Sequence, residues 1–163
     1  MEFPHHIVFP VGNGSLFLGA WKGFKELYDE GKITQIPYLH CVQAALVSPI
    51  VSTFKNRNVP EQDIQKDETV AGGIAINNAP RAQEVIDVLL TNRGSAVSVT
   101  EQAITDTQYE MATNEGLFME PTSAVAFAGL KHLVQRNYIG ANDSVLIPVT
   151  GSGLKDFSAI PNT

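Results

Sequence analysis

Phe9-Pro10-Val11-Gly12-Asn13-Gly14-Ser15-Leu16 joins two different periodicities. Before it, Ile7, Val8 and Phe9 read as the end of a buried strand, and after it Trp21, Phe24, Leu27 and Tyr28 recur at helical spacing. The glycines therefore sit where a strand turns into a helix. Such a junction suits an anion: the first helical turn presents unpaired N–H groups and the positive end of its dipole, and small residues admit a phosphate to that backbone. Two glycines after a strand are also what a plain tight turn uses, and the pair alone supports both readings equally. The familiar nucleotide fingerprints are absent. A G-x-G-x-x-G pattern needs glycine where Phe17 stands and an acidic residue near Gln43 and Ala44, and the stretch from Gly14 to Lys22 does not supply G-x-x-x-x-G-K-[ST].

Length and composition bound what such a site can serve. The 163 residues make one domain over 1–163, long enough for a proper core, and 44% hydrophobic content fits a globular chain. The net charge is −6, with eleven Lys and Arg scattered singly, which argues against nucleic acid and against an anionic membrane surface. A small-molecule site is expected instead. Cys41 is the single cysteine, so no intramolecular disulfide forms, and its apolar setting from Tyr38 to Val42 reads as buried and inert rather than nucleophilic. No apolar run reaches membrane-spanning length and no leader is evident, so a cytoplasmic location is expected.

Strands and helices alternate along the chain. The periodicity predicts a helix over 15–30, with Ser15 at its start and Gly31 as its stop signal, then a strand opened by Pro37 and running to Val42. A short helix over 48–54 carries Pro49 in its first turn; 55–67 reads as a polar surface loop, and 70–76 as a strand or extended segment beneath a ligand. A helix over 79–92 buries Ala82, Val85, Ile86, Leu89 and Leu90 and closes near Gly94. Residues 96–99 form a strand, Thr100 and Glu101 open a helix to Asn114 that Gly116 ends, Pro121 opens another to Arg136, and 144–149 is the last strand. This order predicts an α/β fold, a three-layer αβα arrangement around a mainly parallel sheet. Ligands of such sheets sit at the carboxyl ends of strands, so residues 12–15 and 150–153 are placed to converge on one crevice.

Beyond physics, the stretch Pro10-Val11-Gly12-Asn13-Gly14-Ser15, with Gly19 and Trp21-Lys22-Gly23-Phe24-Lys25-Glu26-Leu27 after it, resembles the phosphate loop and following helix of the threonine synthases, pyridoxal-phosphate enzymes of fold type II. Three later segments agree in order. Glu68-Thr69-Val70-Ala71 is similar to their E-T-x-A segment, and the run from Glu115 to Ala124 to E-G-x-F-x-E-P-A-S-A. Thr150-Gly151-Ser152-Gly153-Leu154-Lys155-Asp156 is similar to T-G-H-G-L-K-D. The resemblance implies the large-domain portion of that fold and pyridoxal 5′-phosphate as cofactor. It implies Gly12, Asn13, Gly14, Ser15 and Leu16 as phosphate ligands, mostly through backbone N–H, and Thr150 facing the pyridine nitrogen.

Leu16 and Ser152 depart from the family, which has a polar residue and a histidine there. Thr150 also reads as a turn residue after a strand. Glu120, just before the Pro121 helix, serves equally as charge complementation of a helix N-terminus or as a cofactor-side group. His5, His6, His40 and His132 match no metal spacing, and no metal is assigned. The Schiff-base lysine of the family lies in an S-F-K-D-type motif, a setting none of the seven lysines has. The expectation is a carboxyl-terminal part of a threonine synthase-like enzyme, inactive alone. Complete, it converts O-phosphohomoserine and water to threonine and phosphate, as a homodimer without nucleic-acid or membrane partners. A dehydratase-like or cysteate synthase-like relative, or a noncatalytic anion-binding or interaction domain, remains open.

Overall fold

A computed structural model describes residues 3–56 and 68–155. Its elements are β1 (His6–Pro10), α1 (Ser15–Asp29), β2 (Tyr38–Ala44), α2 (Pro49–Lys55), α3 (Ala82–Asn92), β3 (Ala96–Val99), α4 (Glu101–Asn114), α5 (Pro121–Gln135) and β4 (Val145–Leu146). All strand pairs are parallel, in the order β3-β2-β1-β4. The sheet is covered on both faces. Ile7, Phe9, Leu39 and Cys41 point toward α1, α2 and α3, while Val8, Val42, Val97 and Val99 point toward α4 and α5. That alternation follows from the two-residue period of a strand, and double coverage explains why β1 and β2 read as unbroken apolar runs. Each aliphatic side chain so buried contributes about 1.5–3 kcal/mol.

The topology positions the site. The chain moves outward from β1 to β2 to β3 with its crossover helices on one face, then returns across α4 and α5 to lay β4 on the other side of β1. Right-handed crossovers put the helices on opposite faces when the direction reverses, and the reversal opens a gap between β1 and β4 at their carboxyl ends.

Several boundaries differ from the sequence reading. Helix α1 is capped by Gly14 at φ 88° without a side-chain hydrogen bond, so Ser15 is its first residue rather than its cap. Its end follows the expectation: Gly31 takes φ 67°, its N–H donates to Tyr28 O, and Lys32 N–H donates to Leu27 O. Helix α2 includes Lys55, and the remainder of the expected polar loop, 57–67, lies outside the described residues. Residues 70–76 form no strand. Gly72–Ile74 is a 3-10 turn, because Ala71 and Gly72 carbonyls are taken locally by Ile74 and Ala75 N–H. Helix α3 starts at Ala82, since Pro80 biases Ala79 away from helical backbone. Leu90 is 49% exposed while Val85, Ile86, Val88 and Leu89 are buried, because it falls off their stripe. The last strand pairs only through Val145 and Leu146; Pro148 has no N–H to continue the ladder.

Candidate functional site

The loop after β1 and the segment after β4 meet at that gap. They frame a crevice of about 310 Å³ lined by residues 10–17, by Gly73, Ile74 and Ile76 of the 70–76 segment, and by Glu120, Thr122 and Thr150. This volume is at the lower end of small-molecule clefts, roughly 300–1,000 Å³.

One wall is backbone. Val11 N–H donates to Val42 O, and the first helical bond of α1 runs from Leu18 N–H to Gly14 O. Between them the N–H groups of Gly12, Asn13, Gly14, Ser15, Leu16 and Phe17 have no acceptor among the described residues. Four of these, from Gly14 to Phe17, are the orphan donors every helix start leaves open, and the other two belong to the turn that feeds it. Gly14 makes the turn possible: its φ is positive, and a Cβ there would lie 2.5 Å from Val85 Cγ2. Below the loop, Gln43 at the end of β2 is fully buried. Its Nε2 donates to Val11 O at 2.9 Å and its Oε1 accepts from Val51 N–H at 3.1 Å, tying the loop to α2. Asn13 Oδ1 is buried with no partner; turned over, the amide presents an Nδ2 donor in its place.

The opposite wall is built from side chains. Glu120 is the N-cap residue of α5 but makes no side-chain cap bond; its Oε1 instead accepts from Thr150 Oγ1–H at 3.3 Å. Glu120 lines the crevice while standing at the N-terminus of α5, a position that both sequence readings share, and its carboxylate packs on Gly151, whose missing Cβ leaves room for it. Thr150 N–H and Gly151 N–H donate to Ser123 Oγ at 2.9 and 3.1 Å, and Ser123 Oγ lies 3.0 Å from Thr150 Oγ1. Ser152 pairs with Met119 in an antiparallel bridge and its Oγ accepts from Leu154 N–H.

The structure thus brings together Gly12, Asn13, Gly14, Ser15, Leu16 and Thr150, adds Gly73, Ile74 and Ile76 from the 70–76 segment that the sequence places beneath a ligand, and adds Thr122, which sequence reading does not single out as a site residue. Thr122 Oγ1 accepts from Gly73 N–H, which holds the 70–76 segment over the crevice. Leu16 lines the crevice with a side chain that is half exposed and an N–H that has no acceptor among the described residues. None of the described lysines lines the crevice. Cys41 is fully buried in the core, and burial pushes its thiol far up, which makes it inert. Asp156, the last residue of the Thr150 motif, lies outside the described residues.

Comparison with known proteins agrees with the geometry. The model of a family described as pyridoxal-phosphate dependent enzyme matches residues 2–151. Threonine synthase of Methanocaldococcus jannaschii is 36% identical over 155 residues, 95% of this chain and 38% of that protein. Threonine synthase of Halalkalibacterium halodurans is 34% identical over 162 residues, 99% of this chain and 42% of that protein. The chain therefore spans about two fifths of the length of these curated relatives. Among solved structures, a fungal L-serine ammonia-lyase from Rhizomucor miehei superposes with TM-score 0.72 at 16% identity, over 93% of this chain and 46% of that one. The processed threonine deaminase isoform 2 of Solanum lycopersicum superposes with TM-score 0.71 at 18% identity, over 98% and 43%. These two likenesses show a shared fold.

Proposed function

The chain belongs to the pyridoxal-phosphate dependent enzyme family, and on that premise we propose that it supplies the phosphate cradle and the ring-nitrogen contact of a threonine synthase. The observation that carries this reading is the crevice itself: a loop whose six N–H groups have no acceptor among the described residues lines one side of it, and Thr150 lines it too, at the carboxyl edge of the sheet. The residues present fit the cofactor. A phosphate dianion satisfies donors that the fold leaves open, and Asn13 with its amide turned over adds a side-chain donor. No described lysine or arginine lines the crevice, so among the described residues the holding rests on N–H bonds, with the helix dipole adding about 0.3–1 kcal/mol.

Pyridoxal phosphate, when bound, serves as the electron sink for carbanions of the amino-acid substrate. Gly12, Asn13, Gly14, Ser15 and Leu16 would hold its phosphate through backbone N–H. Thr150 would offer the ring nitrogen a hydroxyl, a weaker partner than a carboxylate, and so would support a milder electron sink. Ile74 and Ile76 supply apolar wall on the side of the loop. The lysine that anchors the cofactor and moves protons comes from outside the described residues, since none of the described lysines reaches the crevice. For the complete protein we propose O-phosphohomoserine and water as substrates, threonine and phosphate as products, and a cytoplasmic homodimer; the 36% and 34% identities to threonine synthases support that choice over other members of the family.

A phosphate titration followed by backbone amide NMR tests the cradle. Shifts centred on residues 12–16 support it, and shifts elsewhere, or none at high phosphate, overturn it. The chain alone is expected to lack threonine synthase activity and a lysine-bound chromophore. A visible absorption band that borohydride abolishes, mapped by mass spectrometry to one lysine, would refute this.

A further inference from the structure

Ser123 occupies the third position of α5, is fully buried, and does not itself line the crevice. Its Oγ is nonetheless the most heavily engaged hydroxyl near it. A serine oxygen has two lone pairs and one hydrogen. Both lone pairs are taken by the N–H groups of Thr150 and Gly151, at 2.9 and 3.1 Å. The remaining contact, 3.0 Å to Thr150 Oγ1, must therefore carry the serine's own hydrogen. It follows that Thr150 Oγ1 accepts from Ser123 and points its hydrogen away from it. In this structure that hydrogen goes to Glu120 Oε1 at 3.3 Å, well beyond the usual ~2.7–2.8 Å of an O–H···O bond, so the bond is a weak one and easily exchanged for a better acceptor.

We propose that Ser123 is a positioning residue. It pins the Thr150–Gly151 turn from below and fixes the polarity of the Thr150 hydroxyl, so that the crevice meets a ligand's aromatic nitrogen with a donor already aimed. The inference rests on the reading of the crevice as a pyridoxal-phosphate site and adds to it a residue that touches neither phosphate nor ring. Loss of Ser123 leaves the cradle of residues 12–17 intact, because that cradle belongs to β1 and α1, and it frees the hydroxyl to rotate.

The test separates ring nitrogen from phosphate. 4-Deoxypyridoxine 5′-phosphate carries the pyridine nitrogen but no aldehyde, and benzyl phosphate carries a ring without nitrogen; both are titrated against the full chain by amide NMR. Wild-type protein is expected to prefer the pyridine compound by roughly 3- to 10-fold, the worth of one hydrogen bond. Ser123→Ala is expected to bring that ratio to about 1 while benzyl phosphate affinity stays within about 2-fold. A ratio that survives in Ser123→Ala, or affinities for both compounds that fall together, overturns the inference. Wild-type protein that binds neither compound overturns the crevice reading, and the inference with it. Should Ser123→Ala not fold, amide exchange in the wild type decides. Thr150 and Gly151 are expected to exchange more slowly than Ser152, whose N–H has no acceptor among the described residues, and equal rates at all three overturn the pinning.

Discussion

At the carboxyl edge of the sheet six consecutive N–H groups beside a crevice have no acceptor among the described residues, whereas at the amino edge four polar side chains are joined in one hydrogen-bonded chain that ends on Asp143, which also accepts from Gly140 N–H. There Ser95 Oγ lies 2.7 Å from His40 Nδ1, His40 Nε2 lies 2.9 Å from His6 Nδ1, and His6 Nε2 lies 3.2 Å from Asp143 Oδ2. The carboxylate only accepts, so neutral His6 carries its hydrogen on Nε2, His40 on Nε2, and Ser95 donates to His40. Every donor has an acceptor and the chain runs one way. A polar group the fold has satisfied has no capacity left for a ligand, while one it leaves open costs stability unless water or a ligand meets it. The two edges share one sheet and divide structure from binding by that criterion.

The strongest way to break this contrast is Gly14→Val. The substitution forces a β-branched residue into the left-handed region, about 1–2 kcal/mol, and drives a methyl into Val85, about 1–3 kcal/mol more. Urea unfolding is expected to show the sum, about 2–5 kcal/mol, and the amide shifts on residues 12–16 with phosphate are expected to vanish. A variant that keeps both stability and phosphate shifts shows that the turn does not need this geometry.

Gln43→Leu is next in size, and it probes the one satisfied polar residue beneath the open loop. It strands a carbonyl and an N–H, Val11 and Val51, each at about 1–3 kcal/mol. The two add to about 2–6 kcal/mol, and burial of the leucine side chain offsets about 2 kcal/mol of that, so a loss of up to about 4 kcal/mol in urea unfolding, with weaker phosphate binding, marks Gln43 as the support of the cradle. Unchanged phosphate affinity at lower stability confines it to packing.

The amino edge responds to acid. Burial holds His40 neutral down to about pH 3, and lowers His6 as well although Asp143 opposes it. In the unfolded chain a histidine takes its proton near 6.5, so the stabilisation is complete above that value and is lost as pH falls toward 3. The expected loss between pH 7 and pH 5 is about 2 kcal/mol from His40. His5, Tyr38, Arg93 and Tyr138 surround the pair, with Asp143 as its carboxylate neighbour. A stability profile flat across this range, or one whose slope survives in His40→Leu, breaks the assignment.

The sequence shows one edge and hides the other. Residues 9–16 announce a strand-to-helix turn because the period changes across them, and the order of elements is enough to place Thr150 beside that turn. Contacts set by register are invisible to such reading. His6 and His40 meet because Val8 pairs with His40, two residues along a parallel neighbour, and nothing in their spacing says so. Ser123 is hidden for the same reason: its partners lie 27 and 28 residues away, across the turn after β4. Leu90 and the 70–76 segment were misread for a local reason, since apolar residues and paired glycines satisfy more than one period.

The smallest effect is expected at Leu16, the position that the resemblance noted in the sequence marks as a departure. The side chain is half exposed, and the position's part in the cradle is an N–H group, which every residue but proline carries. Leu16→Thr therefore changes the surface of the crevice without changing the donors that define it. Phosphate affinity is expected to stay within about 2-fold, and stability within about 0.5 kcal/mol, as at other exposed positions. The comparison with Gly14→Val is what gives the measurement weight: two residues apart, one substitution removes the backbone geometry and the other spares it. If Leu16→Thr tightens phosphate binding by about 10-fold or more, equivalent to about 1.4 kcal/mol, the side chain is a ligand in its own right. In that event the crevice is built by side chains on both walls, and the division between an open backbone edge and a closed side-chain edge no longer holds.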